Sequence, residues 1–250
     1  MTLADGFVLA VAAFAAGAQN ALAGGGSFLT FPALLYAGLD PRAANITSTI
    51  ALFPGQATTG FAGRGMVEGA AGLPVRTLVG ISVVGGAIGA VLLLATPVSI
   101  FTHLVPYLVL FATAVFAWGS FFARRRAEDA PPRISPRNAA AAQFCIAIYG
   151  GYFGGGIGIL MLAALTAAGL SVRHAGATKN VLAGVVNVAA VIIFLFRTHV
   201  ELVTVGIVAI MAILGGQAGV FLLRRINEKL LRVAITVIGL VLTVGLFIKS

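Results

Sequence analysis

The sequence predicts an all-α polytopic membrane protein built from two inverted repeats, each a glycine-broken helical hairpin followed by three transmembrane helices. Three observations predict it. Of the 250 residues, 60% are hydrophobic and only 9% charged, with a mean hydropathy of +1.06, whereas about a quarter of a soluble domain's residues are charged. The apolar residues gather into blocks, most of them matching the roughly 20 residues of a spanning helix. An apolar stretch interrupted by three consecutive glycines occurs twice, as "ALAGGGSFLTFPALLYAGL" from Ala21 and "GGYFGGGIGILMLAALTAAGL" from Gly150.

The first block, Leu3 to Tyr36, contains Gly24, Gly25 and Gly26 and is too long for one helix, so it reads as a hairpin. Its beginning imitates a secretory signal, but no Lys or Arg precedes Arg42, and cleavage is not expected. Ile46 to Ala62, Val75 to Thr96 and Val98 to Phe122 read as single spans, the first with a potential kink at Pro54. "RRRAEDAPPRISPR", Arg124 to Arg137, is a polar linker. It divides the chain into an N-terminal repeat, 1–123, a linker, 124–138, and a C-terminal repeat, 139–250. Ala139 to Leu170, with Gly154, Gly155 and Gly156, is the second hairpin, and Thr178 to Phe196, Val200 to Leu223 and Leu230 to Ile248 are three further spans. The halves align nearly end to end. The glycine triplets match at a shift of 130, as do "GGAIGAVLLL" from Gly85 and "GGQAGVFLLR" from Gly215, while Gly38, Leu39, Arg42 and Thr47 match Gly169, Leu170, Arg173 and Thr178 at 131. Internal duplication of this kind is the pattern of transporters.

Charge placement sets the orientation. The linker carries five Arg and "RRINEKLLR" from Arg224 four basic residues, so both belong on the cytoplasmic side. An even number of crossings must separate them, so the glycine-broken block between them enters and leaves on one side. Three single spans per half then invert the second repeat and put both termini away from the cytoplasm. Of the sixteen Lys and Arg, thirteen fall inside and only Arg42, Arg197 and Lys249 outside. The formal charge of +9 is therefore a topology signal, facing membrane lipid rather than nucleic acid. The single cysteine, Cys145, excludes an internal disulfide.

A chain that reverses inside a membrane exposes backbone N–H and C=O groups, which only protein or a water-filled cavity can receive. Glycine permits the positive φ of such a turn. Helices starting near Ser27 and Ile157 point N–H groups into that cavity, and helix N-termini bind anions; the plainer reading is that the glycines let helices pack closely. After each hairpin, Thr47 stands opposite Thr178, Ser48 opposite Lys179, Thr49 opposite Asn180, and Gln56 opposite Asn187. The spacing of seven puts Thr49 with Gln56, and Asn180 with Asn187, on one helix face. The candidate substrate-binding set is Gly24, Gly25, Gly26, Ser27, Thr47, Ser48, Gln56, Gly154, Gly155, Gly156, Thr178, Lys179, Asn180 and Asn187. Lys179 has a second reading as an anchor that snorkels to the interface, and Thr58 and Thr59 have one as partners of their own helix backbone. Asp and Glu fall at block ends or in loops, which argues against a carboxylate proton relay or cation site. His103, His174 and His199 lack metal-ligand spacing, and no nucleotide-binding loop is present. No catalytic residue, metal or cofactor is expected.

The first hairpin with its sequel, "GGGSFLTFPALLYAGLDPRAANITST", its weaker repeat "FGGGIGILMLAALTAAGLSVRHAGATKN", and the "GG..GA.L" helix of the first half, with its counterpart from Gly215, resemble the sulfite exporter TauE/SafE family of bacterial membrane permeases over essentially the whole chain. Ile46 before Thr47 and Lys179 in the second copy depart from the usual pattern. The resemblance implies a non-enzymatic exporter of small sulfur oxyanions, sulfite first, in the bacterial inner membrane. Another organosulfonate, thiosulfate, or a non-transporting membrane subunit are the alternatives. The topology is directly testable. In a Cys145→Ala background, cysteines placed at Ser135 and Ser250 should react with an impermeant thiol reagent from opposite faces; labelling from one face would refute the inversion.

Overall fold

The computed structural model describes residues 3–22, 25–62, 64–122, 133–198, 200–222 and 228–249. Ten α-helices run through them: α1 Leu3–Leu22, α2 Ser27–Tyr36, α3 Pro41–Ala62, α4 Val75–Ala95, α5 Val98–Ala117, α6 Pro136–Tyr152, α7 Ile157–Ala167, α8 Val172–Arg197, α9 Leu202–Leu222 and α10 Glu228–Lys249. Among the described residues the only strand-like pairing is one isolated bridge, Ala70 to Leu73. The protein is an all-α membrane protein. Val75–Ala95, Val98–Phe121 and Val172–Arg197 are each long and apolar enough to cross a bilayer. Large apolar side chains such as Phe7, Val91, Phe196, Ile210 and Val241 stay exposed on the surface, where lipid rather than water receives them.

Both long blocks break at their glycines, as expected, into α1 with α2 and α6 with α7. Three helices begin three or more residues earlier than the apolar blocks, at Pro41, Pro136 and Val172 rather than Ile46, Ala139 and Thr178. The cause is capping. Asp40 Oδ1 accepts the N–H groups of Arg42 and Ala43 at 3.0 and 3.1 Å, Ser135 Oγ accepts that of Asn138, and Ser171 Oγ accepts that of His174. Polar first turns of this kind satisfy helix-start donors and are invisible to hydropathy. Of the linker, residues 124–132 lie outside the described residues, and its last three residues already belong to the α6 cap and first turn.

Lipid supplies no hydrophobic drive between helices, so packing relies on close van der Waals contact and interhelical hydrogen bonds. The broad contacts come in matched pairs: α1 with α9 and α6 with α4, α3 with α9 and α8 with α4, α2 with α3 and α7 with α8, α2 with α10 and α7 with α5. Two pairs, α3 with α8 and α5 with α10, match themselves. Small residues make the tightest contacts possible. A Cβ on Gly89 would lie 2.1 Å from the Ile148 carbonyl, and one on Gly151 2.1 Å from that of Gly86. In the matching pair, a Cβ on Gly215 would lie 1.9 Å from the Phe14 carbonyl, and one on Gly17 1.9 Å from that of Ala212. The "GG..GA" segments thus seat α4 and α9 against the first arm of a hairpin. Gln143 Nε2 reinforces one of these seams by donating to Ser82 Oγ at 2.9 Å, both residues being buried.

Helices α3 and α8 run antiparallel. Gln56 and Asn187 meet near their middles, Gly60 abuts Asn180 and Val181, and the start of α3 shares a cavity with Arg197 at the end of α8. Exchanges of glycine for larger residues separate close packing from mere helicity. Gly89→Leu and Gly215→Leu should sharply reduce the yield of folded protein in detergent, because overpacking against backbone costs about 1 to 3 kcal/mol or more. Gly80→Ala, at a position with no atom within 4 Å of its added Cβ, should melt at or slightly above the parental temperature.

Candidate functional site

The two hairpin turns reverse the chain with glycine dihedrals. Gly25 has φ +88°, Gly154 +77° and Gly156 +76°, a region that costs other residues about 1 kcal/mol or more. Gly26 is helical and is required for space instead: its Cβ would lie 2.6 Å from the Ala16 carbonyl. Gly24 lies outside the described residues. Side chains from the first arm of each hairpin clasp the turn. Gln19 Nε2 donates to the Gly25 carbonyl at 3.2 Å, and Asn20 Oδ1 accepts the Gly26 N–H at 2.7 Å. In the second half, the Tyr149 hydroxyl donates to the Gly155 carbonyl at 2.7 Å. Gln19 and Tyr149 are related by the same shift of 130 as Gly25 and Gly155. The clasp has a signal in the sequence that hydropathy does not reveal, a polar residue six places before the middle glycine in both copies.

The clasp changes what the turns offer a ligand. The N–H groups of Phe28 and Leu29 return to the carbonyls of Gly25 and Gly26 at 3.0 Å each, and Thr30 N–H to Gly26 at 3.2 Å. In the second turn, Ile157 N–H reaches Gly154 at 3.4 Å and Ile159 N–H reaches Gly156 at 3.0 Å. Donors expected to point freely from the helix starts near Ser27 and Ile157 are therefore largely engaged by the turn's own carbonyls. Side chains carry more of the available polarity than the backbone does.

Those side chains are arranged as a column along the α3–α8 seam rather than gathered in one cup. At its centre Asn187 Nδ2 donates to Gln56 Oε1, directly across the seam. Both hairpin turns reach this level: Gly26 stands over Ala16, next to Gly17, which packs on Ala212 beside Gly55, while Gly150 and Gly86 both pack on Val186. Thr47 and Thr178 each stand nine residues from the central pair, about 13 Å along a helix, in opposite directions. Ser48 Oγ pairs with Thr30 Oγ1 at 2.6 Å, both buried, tying α3 to α2. Thr178, with no exposed surface, accepts the Glu68 N–H at 3.0 Å and donates to the Glu68 carbonyl at 3.2 Å. Lys179 is buried, and among the described residues its ammonium has no hydrogen-bond or ion-pair partner. Asn180 is half-buried against Gly60. Thr49 and Thr58 donate to the carbonyls of Asn45 and Gly55 on their own helix, which accounts for them structurally.

The two ends of the column differ. At the Thr178 end a loop from Arg64 to Leu73 covers the hydroxyl, held by Ala71 N–H on the Ala168 carbonyl at 2.9 Å and by His174 Nδ1 3.5 Å from the Glu68 carboxylate. At the other end Thr47 lines a cavity of about 400 Å³ together with Asp40, Arg42, Arg197, Thr198 and Glu201.

Comparison with known proteins places this geometry in context. The profile of the sulfite exporter TauE/SafE family matches residues 9–246. A probable membrane transporter protein, ORF9, of Sinorhizobium sp is 31% identical over 242 residues, covering 95% of this chain and 90% of its own. The probable membrane transporter protein YfcA of Escherichia coli (strain K12) is 28% identical over 248 residues, covering 97% and 90%. A probable membrane transporter protein of Haemophilus influenzae is 28% identical over 245 residues, covering 94% and 92%. No solved structure matches the chain significantly.

The clasp predicts a graded loss of stability. Tyr149→Phe leaves the Gly155 carbonyl without its donor, at a cost of about 1 to 3 kcal/mol, and should lower the melting temperature of the purified protein. Asn20→Leu should do the same through the Gly26 N–H. If both variants melt with the parent, the turns do not depend on these side chains.

Proposed function

Because the chain belongs to the sulfite exporter TauE/SafE family and is a multi-pass membrane transporter, we propose that it exports a small sulfur oxyanion, sulfite first, across the bacterial inner membrane by alternating access. The observation that carries this reading is the Gln56–Asn187 pair, two amides from equivalent positions of the two halves meeting at the level of both glycine turns.

On this reading 1–123 and 139–250 are inverted repeats joined by the cytoplasmic linker 124–138. The matched helix contacts support it, since an axis relating α1 to α6 and α4 to α9 must pass between the self-matched α3 and α8. Transport sites lie near the midplane between such repeats. The oxyanion moves along the α3–α8 seam, meeting the hydroxyls of Thr178 and Thr47 toward either end and the amides of Gln56, Asn187 and Asn180 between. Ser48 and the glycines Gly24, Gly25, Gly26, Gly154, Gly155 and Gly156, with Ser27, shape the walls. Neutral donors hold an oxyanion without trapping it, as conduction requires. Lys179 supplies one positive charge close to the cytoplasmic end. The loop over Thr178 closes that end, while the cavity at Thr47 is the open, outward end. The two ends of the seam are thus in the opposite states that alternating access requires of a single conformation.

Flux measurements test the reading. Purified protein in liposomes should move labelled sulfite, with other sulfur oxyanions ranked in the same assay. Replacing both partners of a buried hydrogen bond by apolar groups is nearly neutral for stability, so the double variant Gln56→Leu, Asn187→Leu should fold and melt close to the parent. Its flux should fall about tenfold or more, the scale of one lost charge-assisted contact of about 1.5 to 3 kcal/mol. Parental flux in a folded double variant would remove the central site. Lys179→Gln should weaken sulfite transport severalfold, whereas an interfacial anchor would leave it unchanged.

A further inference from the structure

We propose that Arg42 and Arg197, together with the Thr47 hydroxyl, form a second anion site at the outer mouth of the seam, which takes the oxyanion after it leaves the Gln56–Asn187 level and hands it to the exterior. The proposal rests on the export reading above and adds to it a release site built from the column's outermost hydroxyl and two arginines that the column does not include. Two of the three cations on the non-cytoplasmic side stand here. Both line the cavity of about 400 Å³ that reaches Thr47, and both also line a neighbouring cavity of about 600 Å³ between α4 and α8, walled by Val91, Leu94, Ile192 and Phe196. Arg42 and Arg197 thus border two open spaces.

The cavity also contains two carboxylates, which balance the formal charge of the arginines, so what an anion meets there depends on which donors are left free. Asp40 Oδ1 accepts the N–H groups of Arg42 and Ala43 as the cap of α3. Glu201 Oε2 accepts the Thr204 hydroxyl at 2.8 Å. Among the described residues neither carboxylate lies in an ion pair with either arginine. Arg42 uses one N–H of its guanidinium, Nη1 donating to the Thr96 carbonyl at 3.0 Å. That bond fixes the group at the C-terminus of α4 and leaves most of its five donors unspent. A guanidinium held in place with free donors is suited to a planar or pyramidal oxyanion, which it meets with two parallel hydrogen bonds.

Thr47 supplies the independent observation. It is only 4% exposed, it faces the cavity, and among the described residues its hydroxyl has no partner. Its repeat mate Thr178 shows what such a hydroxyl takes up when the space is filled: an N–H and a carbonyl of the Glu68 backbone. At Thr47 no described loop residue takes up the hydroxyl, and Arg42 and Arg197 line the same cavity. The group that completes this end is an anion with acceptor oxygens, such as sulfite or sulfate. Thr198 belongs to the wall, since its hydroxyl is spent on the Phe194 carbonyl at 2.7 Å.

Binding and sidedness test the site separately. Purified protein is titrated with inorganic sulfite and with sulfate while its melting temperature is followed. Parental protein should be stabilised by both. Arg42→Gln and Arg197→Gln should each weaken that response by about fivefold or more, the usual scale for losing a charge-assisted contact, and Arg42→Lys should restore part of it. The same variants are then reconstituted in a Cys145→Ala, Ser250→Cys background, their orientation is read from labelling with an impermeant thiol reagent, and half-saturation for sulfite is measured from each face. The outer-face value should rise about fivefold or more, and the inner-face value should stay within about twofold. Equal changes on both faces would place the arginines in the shared central site, and no change on either face would make them helix anchors; both results overturn the proposal. Should the parent fail to move sulfite at all, the export reading falls. The arginine-dependent stabilisation by oxyanions would then still stand or fail by itself.

Discussion

A polypeptide that turns round inside lipid has to bring its own hydrogen-bond partners, because no water is present to receive the exposed backbone. Both glycine turns of this protein carry such partners. Gly25, Gly154 and Gly156 supply the dihedrals of the turn, and Gln19, Asn20 and Tyr149 supply the partners. The clasp works only if the first arm of the hairpin stays within reach of the turn. That arm is held by backbone-to-backbone contact with α9 in one half and α4 in the other, at Gly17, Gly215, Gly89 and Gly151. The glycines of the turn and the glycines of the seams therefore serve one constraint. With both arms fixed, the α3–α8 crossing has little freedom left, and Gln56 is delivered to Asn187.

The two halves meet the same backbone problem with different side chains. One uses a pair of amides, Gln19 and Asn20, on both a carbonyl and an N–H; the other uses a phenol on a carbonyl alone. Asn20 has Gly150 as its counterpart, and Gly150 is instead packed against Ile157 and Val186. The requirement is common to both turns, while the side chains that meet it differ. The same divergence separates the ends of the seam. Thr178 is sealed under a loop backbone, whereas Thr47 opens on a cavity edged with arginine. Equivalent hydroxyls at the two ends of an antiparallel helix pair thus stand in opposite environments.

The polar inventory of the seam is economical. Most hydroxyls on it are tied to a helix or loop, as Thr49 is to Asn45 and Ser48 to Thr30. Few groups remain for a ligand. The Thr47 hydroxyl and the Lys179 ammonium are the principal ones among the described residues, at opposite ends of the helix pair rather than clustered. A weakly held ion passing between separated contacts suits translocation better than one deep cage.

Composition, periodicity and internal similarity were enough to determine the membrane class, the helix breaks at both glycine triplets, three helices long enough to span and the pairing of Gln56 with Asn187 as equivalents, because each is a property of local hydropathy or of a repeated string. Gln56 and Asn187 were legible as a pair since any axis relating the halves brings some equivalent positions together. Helix starts at Pro41, Pro136 and Val172 escaped hydropathy because their first turns are polar and capped. The tertiary structure alone decided that Thr47 and Thr178 stand at opposite ends and not in one pocket, that the turn carbonyls reclaim the helix-start donors, and that Arg42 and Arg197 come together. These outcomes depend on the direction in which α3 and α8 cross and on side chains that meet from distant parts of the chain, and neither is written in the order of residues along a single helix.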